Sequence, residues 1–167
     1  DWANSVFATT VLAGFFPLFF KSYWAGDLDD ATSTALLGTA SSVAGLIIVL
    51  IAPLLGAMAD LSRKKKVFLS IFALLGIVST SILFFISYGL WQWSLIIFGL
   101  SVIGFSGANI FYDSLLIDVS SNEDRNYVSS MGYALGYLGG GILFLINVAM
   151  YLYPSFFNLD SQTEGIL

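Results

Sequence analysis

Gly56-Ala-Met-Ala-Asp-Leu-Ser-Arg-Lys-Lys-Lys66 closes one uncharged run, about 35–59, and opens onto another, about 67–90. A helix rises 1.5 Å per residue, so roughly 20 apolar residues cross a bilayer core, and each run is long enough. Four of the six cations, Arg63 to Lys66, crowd into this one connector. Short basic connectors are retained on the cytoplasmic side of a membrane. The connector is therefore expected to face the cytoplasm, and it orients every other segment.

The composition agrees with a membrane protein. Of the 167 residues, 57% are hydrophobic and only 10% are charged, with mean hydropathy +0.87. Soluble domains carry about 25% charged residues. The net charge of -5 comes from acids that mostly flank apolar runs. The single basic cluster has a topological role, so nucleic acid is not an expected partner; the lipid bilayer is. With neither Cys nor His, disulfides, a thiolate nucleophile, haem or Cys/His zinc ligation and a His base are excluded. The chain reads as a non-enzyme with no cofactor and no metal. It opens without Met at the edge of an apolar run, as an excerpt of a longer protein would. The first segment is too long and too aromatic for a cleaved signal peptide.

Five spans are expected, at about 2–24, 35–59, 67–88, 93–117 and 127–153, forming an all-α bundle that starts inside and ends outside. The first span ends in an aromatic belt around Lys21, and Pro17 should kink it. Thr32, Ser33 or Thr34 is expected to cap the second span, whose Gly38, Ser41, Ser42 and Gly45 would permit close helix contact. Ser120 to Glu123 reads as a capping box ahead of the fifth span.

The fourth span carries the one acid set well inside an apolar run, Asp113. Ser106, Asn109, Tyr112 and Asp113 recur at three and four residues, so they share a helix face. A carboxylate at membrane depth faces protein or water and marks a functional site by default. A second reading is an ion pair with the run Arg63, Lys64, Lys65 and Lys66, on the same side of the membrane. At the inner end of the first span, Asp1, Asn4 and Ser5 share a face. In the fifth span Tyr133 and Tyr137 lie on one face with Gly140 and Gly141, as packing aromatics or as ligand contacts. Gly132, Gly136, Gly140 and Gly141 lower intrinsic helix propensity, for which close packing is the compensating use. Asp60 is unfavourable at a helix C-terminus and needs a partner, for which Arg63 or Lys64 is near in sequence.

Gly56, Asp60 and the basic run Lys64 to Lys66 resemble the signature between the second and third spans of major facilitator transporters, with Leu61 where a basic residue usually follows the Asp. Gly132-x-x-x-Gly136-Tyr-Leu-Gly139-Gly140-Gly141 is similar to the fifth-span antiporter motif, with Tyr137 in place of Pro. The opening Asp1-Trp-Ala-Asn-Ser5 and the long stretch from Phe111-Tyr-Asp-Ser114 through Ser129 to Gly141 resemble the vacuole-effluxer-like branch of that superfamily.

That resemblance implies a major-facilitator-type bundle with two six-span halves, of which this chain would be the first half without its sixth span. The missing C-terminal half is then an implied partner. It further implies a permease that moves a small solute by alternating access, with amino-acid export the activity of the fungal relatives; Asp113, read from its own position, is a candidate carrier of a coupling proton. The expected pathway is Asn4, Asn109, Tyr112, Asp113, Tyr133 and Tyr137. The expected cytoplasmic gate is Gly56, Asp60, Arg63, Lys64, Lys65 and Lys66. The alternative is a receptor or assembly scaffold that uses the same fold without transport.

Overall fold

The computed structural model describes residues 1–61 and 64–159. Five helices are long and apolar enough to cross a membrane: Asn4–Trp24, Asp30–Leu61, Lys65–Phe85, Trp91–Val119 and Arg125–Leu152. They are referred to below as the first to fifth spans. No strand occurs among the described residues. Large apolar side chains such as Leu46, Val49, Leu50 and Leu54 are exposed on the second span, the arrangement that suits lipid as the surrounding solvent. The chain is a multi-pass integral membrane protein.

The third and fourth spans form the tightest pair. A methyl group on Gly104 would overlap the backbone of Gly76, and one on Gly107 would overlap the Phe72 ring. Lipid offers no hydrophobic drive for helices to associate, so such close backbone approach is what holds them. The second span joins this pair through Ser33, Ala44, Leu55 and Ala59, buried at spacings of eleven, eleven and four residues along one helical stripe. Gly38 and Gly45, expected to make close contacts, have no neighbour within 4 Å of where a side chain would begin. Ala44, not these glycines, is on the contact stripe.

Two apolar clusters close the bundle at opposite ends. At the aromatic end Phe16, Phe19, Phe20, Trp24, Ile86 and Phe98 are buried together. Phe16 stacks on Phe98 with ring centroids 3.8 Å apart, and the Trp24 indole N–H donates to the Ile86 carbonyl at 3.0 Å. Across the same end, Tyr88 Oη donates to Asp27 Oδ1 at 3.1 Å. At the basic end Leu55, Ala59 and Phe111 are buried, with the Phe68 ring stacked on Phe111 at 5.2 Å.

The first span is wound unusually. Phe7–Phe15 and Phe20–Trp24 are π-helical, separated by the short α turn Phe16–Phe19 that contains Pro17. The Phe16 amide reaches back five residues to the Val11 carbonyl. π-Helix is uncommon and concentrates at functional sites. The Thr9 hydroxyl lies 3.0 Å from the Ser5 carbonyl, 3.3 Å from that of Val6 and 3.5 Å from that of Gly140.

Two helix starts differ from the sequence reading. The second span begins at Asp30, because Asp29 Oδ1 accepts the amides of Ala31 and Thr32 at 3.1 and 3.0 Å and caps it. Ser33 and Thr34, expected as caps, lie inside the helix and donate back to the Asp30 carbonyl. The capping box expected at Ser120 to Glu123 does not form: Asp124 stands at the N-cap of the fifth span and its helix start has no side-chain cap. Ser121 Oγ accepts the Asp124 amide at 3.1 Å and donates to Asp124 Oδ2 at 2.9 Å, whereas Ser120 donates to the Leu116 carbonyl of the preceding helix.

Candidate functional site

The spacing of Asn109, Tyr112 and Asp113 puts all three on one wall of a cavity of about 450 Å³ between the first, fourth and fifth spans. Asn4 of the first span and Ser129 and Tyr133 of the fifth complete the polar lining, together with Asp1. Sequence reasoning placed Asp1 beside Asn4 without assigning it to the pathway; the shared face was the available signal. The glycines of the fifth span make this convergence possible. A Cβ on Gly132 would stand 3.1 Å from Asp1 Oδ2 and 3.9 Å from the Tyr112 hydroxyl, and one on Gly136 would stand 2.5 Å from Ser5 Oγ. A Cβ on Gly140 would stand 3.0 Å from Thr9 Oγ1, and Gly139 lies under the Trp2 ring.

Two expected residues fall elsewhere. Tyr137 is 75% exposed and does not line the cavity, because the face turned to the first span is that of Gly132, Gly136 and Gly140. Gly141 has nothing within 4 Å of its missing side chain.

A second cavity of about 650 Å³ lies between the first, third and fourth spans and is walled mainly by apolar side chains, among them Phe7, Val11, Ile77 and Phe105. Phe7 stacks on Phe105 with centroids 4.8 Å apart. Asp1, Asn4, Asn109 and Tyr112 line both cavities and stand between them. The result is a polar compartment and an apolar compartment with a shared polar partition.

Among the described residues, no Lys, Arg or His side chain lines either compartment. Holding an ionised carboxylate at membrane depth costs at least about 2.5 to 3.5 kcal/mol. Asp113, within the fourth span, therefore needs water, a proton or a cation.

The expected gate residues divide. Lys65 Nζ pairs with Asp118 Oδ2 at 2.9 Å and also donates to the Ser114 carbonyl at 3.3 Å. Lys65, one of the four cations considered as partners of Asp113, is thus engaged by Asp118, about one and a half turns along the fourth span. Asp60 is exposed, and Gly56 is half-buried with no atom within 4 Å of a would-be Cβ. The Lys64 carbonyl accepts the amides of Val67 and Phe68 at the start of the third span, and Lys66 is exposed. Arg63 lies outside the described residues.

The helix count, the absence of strands among the described residues and the polar cleft between apolar helices fit an all-α membrane bundle of the major-facilitator type. Residues 23–124 match the family described as "Vacuole effluxer Atg22 like", and the chain belongs to that family. It is 42% identical over 153 residues to a protein of Bacillus subtilis (strain 168) named "Uncharacterized MFS-type transporter YxiO", a match covering 91% of this chain and 36% of the relative. It is 27% identical over 142 residues to an "Uncharacterized protein" of Aquifex aeolicus (strain VF5), covering 85% of this chain and 34% of that one. The chain thus spans about a third of the length of the curated relatives it matches. No solved structure matches it.

Proposed function

We propose that this chain is part of a secondary active transporter that moves a small solute across a membrane by alternating access. The observation that carries this reading is the polar compartment built from Asn4, Asn109, Tyr112 and Asp113 inside an otherwise apolar bundle. Transporters of this architecture bind substrate near the bilayer midplane and rock one bundle against another around it. In this reading a second bundle of the full-length protein supplies the facing wall. The basic end of the bundle faces the cytoplasm, as the charge of its connector favours. Gly56, Asp60 and the run Arg63 to Lys66 act there as part of the gate, and Tyr133 borders the path. Tyr137 is left out of the path because it does not line the polar compartment. The glycines Gly132, Gly136 and Gly140 allow the first and fifth spans to slide or flex against each other. A proton on Asp113 is the coupling ion this reading tests first, and amino acids are the first substrates to try.

The test uses the full-length protein in proteoliposomes, following exchange of a labelled amino-acid mixture with and without a pH gradient. Exchange that responds to the gradient and is lost in Asp113→Asn supports a proton-coupled permease. Unchanged rates in Asp113→Asn, Asn109→Ala and Tyr112→Phe together overturn the path assignment. No solute movement of any kind favours a non-transporting role for the same fold.

A further inference from the structure

We infer that the apolar compartment is the seat of a membrane-spanning helix, the one that follows residue 167 in the full-length protein. This seat is independent of whether the protein moves a solute. On the third span the lining residues Leu69, Ser70, Ala73, Ile77, Thr80 and Ser81 recur at three and four residues, over about 18 Å of helix. The first span answers with Asn4, Phe7 and Val11, and the fourth with Phe105, Ala108 and Tyr112, at the same spacings. Rows of that period are the ridges and grooves into which another helix packs. The trough is open along its third-span margin, where Ser70, Ile77 and Ser81 are exposed.

Lipid chains lying there would face Asp1, Asn4, Asn109 and Tyr112, which line the same trough and which hydrocarbon cannot hydrogen-bond. Water would face apolar walls over more than half of the roughly 30 Å core. A helix that is apolar toward Val11 and Ile77 and polar toward Asp1 and Asn4 suits both parts. The next span of the same polypeptide is placed to supply it. The match to the curated relatives covers 36% and 34% of their length, leaving about two-thirds of each outside it. Phe15 meets Phe144 at one end and Ser5 lies against Gly136 at the other, so the fifth span runs parallel to the first and finishes on the aromatic side. A following span starts there and runs back antiparallel to the first and third spans, the walls of the trough. Residues 153–167 reach at most about 50 Å, enough to pass the first span, since packed helices lie about 8–10 Å apart. Tethering also gives this helix a local concentration that a second copy lacks.

The full-length protein in its membrane tests this with a benzoylphenylalanine photo-cross-linker at Ile77, 61% exposed in the trough, and at Leu74, 59% exposed and lining neither compartment. Ultraviolet light should join the Ile77 position, within one polypeptide, to the first membrane-length apolar segment after residue 167, and the Leu74 position to lipid. An Ile77 adduct with lipid, with a second copy or with any other segment, or no adduct at all, overturns the inference. If the bulky group prevents folding, truncation separates the cases. Ile77→Ala removes packing against a helix and should lower the melting temperature of the full-length protein by several degrees. Leu74→Ala removes only lipid contact and should leave it unchanged. Equal melting temperatures overturn the inference. Solute exchange in proteoliposomes bears only on the transporter reading: exchange together with a lipid adduct at Ile77 keeps that reading and removes the seat. An intramolecular adduct without exchange does the reverse.

Discussion

Lys65 Nζ lies 2.9 Å from Asp118 Oδ2, joining the first turn of the third span to the last turn of the fourth. Lys65 is 17% exposed at its side chain and Asp118 is 49% exposed, so water screens the pair strongly. Pairs of this kind contribute up to about 1 kcal/mol. Asp118→Asn should therefore lower the thermal stability of the purified protein slightly at low salt, and the difference from the parent should shrink at high salt. Exchange of the two residues, Lys65→Asp with Asp118→Lys, should restore most of the loss. A large, salt-independent loss in Asp118→Asn would mean that Asp118 holds something other than Lys65.

Gly104 and Gly99 lie in the same helix and make opposite predictions. A methyl on Gly104 meets the Gly76 backbone, which cannot swing aside, whereas one on Gly99 meets nothing within 4 Å. Gly104→Ala should force the third and fourth spans apart at a cost of roughly 1 to 3 kcal/mol. Gly99→Ala should be neutral or stabilising by up to about 1 kcal/mol, from helix propensity. Thermal unfolding of the two variants side by side decides the matter, and similar melting temperatures would contradict the packing described here.

Trp24 is 2% exposed and its indole N–H is bonded to the Ile86 carbonyl, itself 8% exposed as a residue. Trp24→Phe keeps most of the ring and removes the donor. The stranded carbonyl should cost about 1 to 3 kcal/mol. The loss should appear as faster proteolysis at the aromatic end and a lower melting temperature; a variant as stable as the parent would show that the carbonyl finds another donor.

The cap of the second span gives a pH dependence. The hydroxyl and then the amide of Thr32 hold the Asp29 carboxyl below the ordinary carboxylate value of 3.8. A group whose folded value is depressed contributes stability above its unfolded value and loses it as pH falls through the folded one. Asp29 therefore supports the helix start above about pH 4 and ceases to do so in stronger acid. Asp29→Asn keeps an acceptor without a titration, so the acid-side loss of stability should be smaller than in the parent. An unchanged acid limb would sever Asp29 from it.

The spans were legible because lipid demands uncharged runs of a fixed length, and Arg63 to Lys66 punctuate them. The polar face of the fourth span was legible for a similar reason: Asn109, Tyr112 and Asp113 stand out against an apolar background and helical spacing aligns them. What could not be read concerns partners. Gly76 is the one glycine of its span and Gly104 is one of three in its own, and nothing in either run says that they meet. Gly38 and Gly45 looked more promising by density and lie off the contact stripe. Tyr137 follows Tyr133 by one turn, yet the glycine face took the interface and left Tyr137 outside. The cap at Asp29 was hidden by the three hydroxyl residues Thr32, Ser33 and Thr34, which start three positions further on, each an equally good cap by type.

The π-wound first span has a mechanical consequence. A helix closed by bonds to the fifth residue back is wider and advances less per residue than an α-helix. Its aromatic end is clamped by Phe16 on Phe98 and Trp24 on Ile86, while its opposite end carries Asp1 and Asn4 into both compartments. The segment between these ends holds slack. Rewinding Phe7–Phe15 to α geometry would extend the span and turn Asn4 about the axis like a key, with the clamped end standing still.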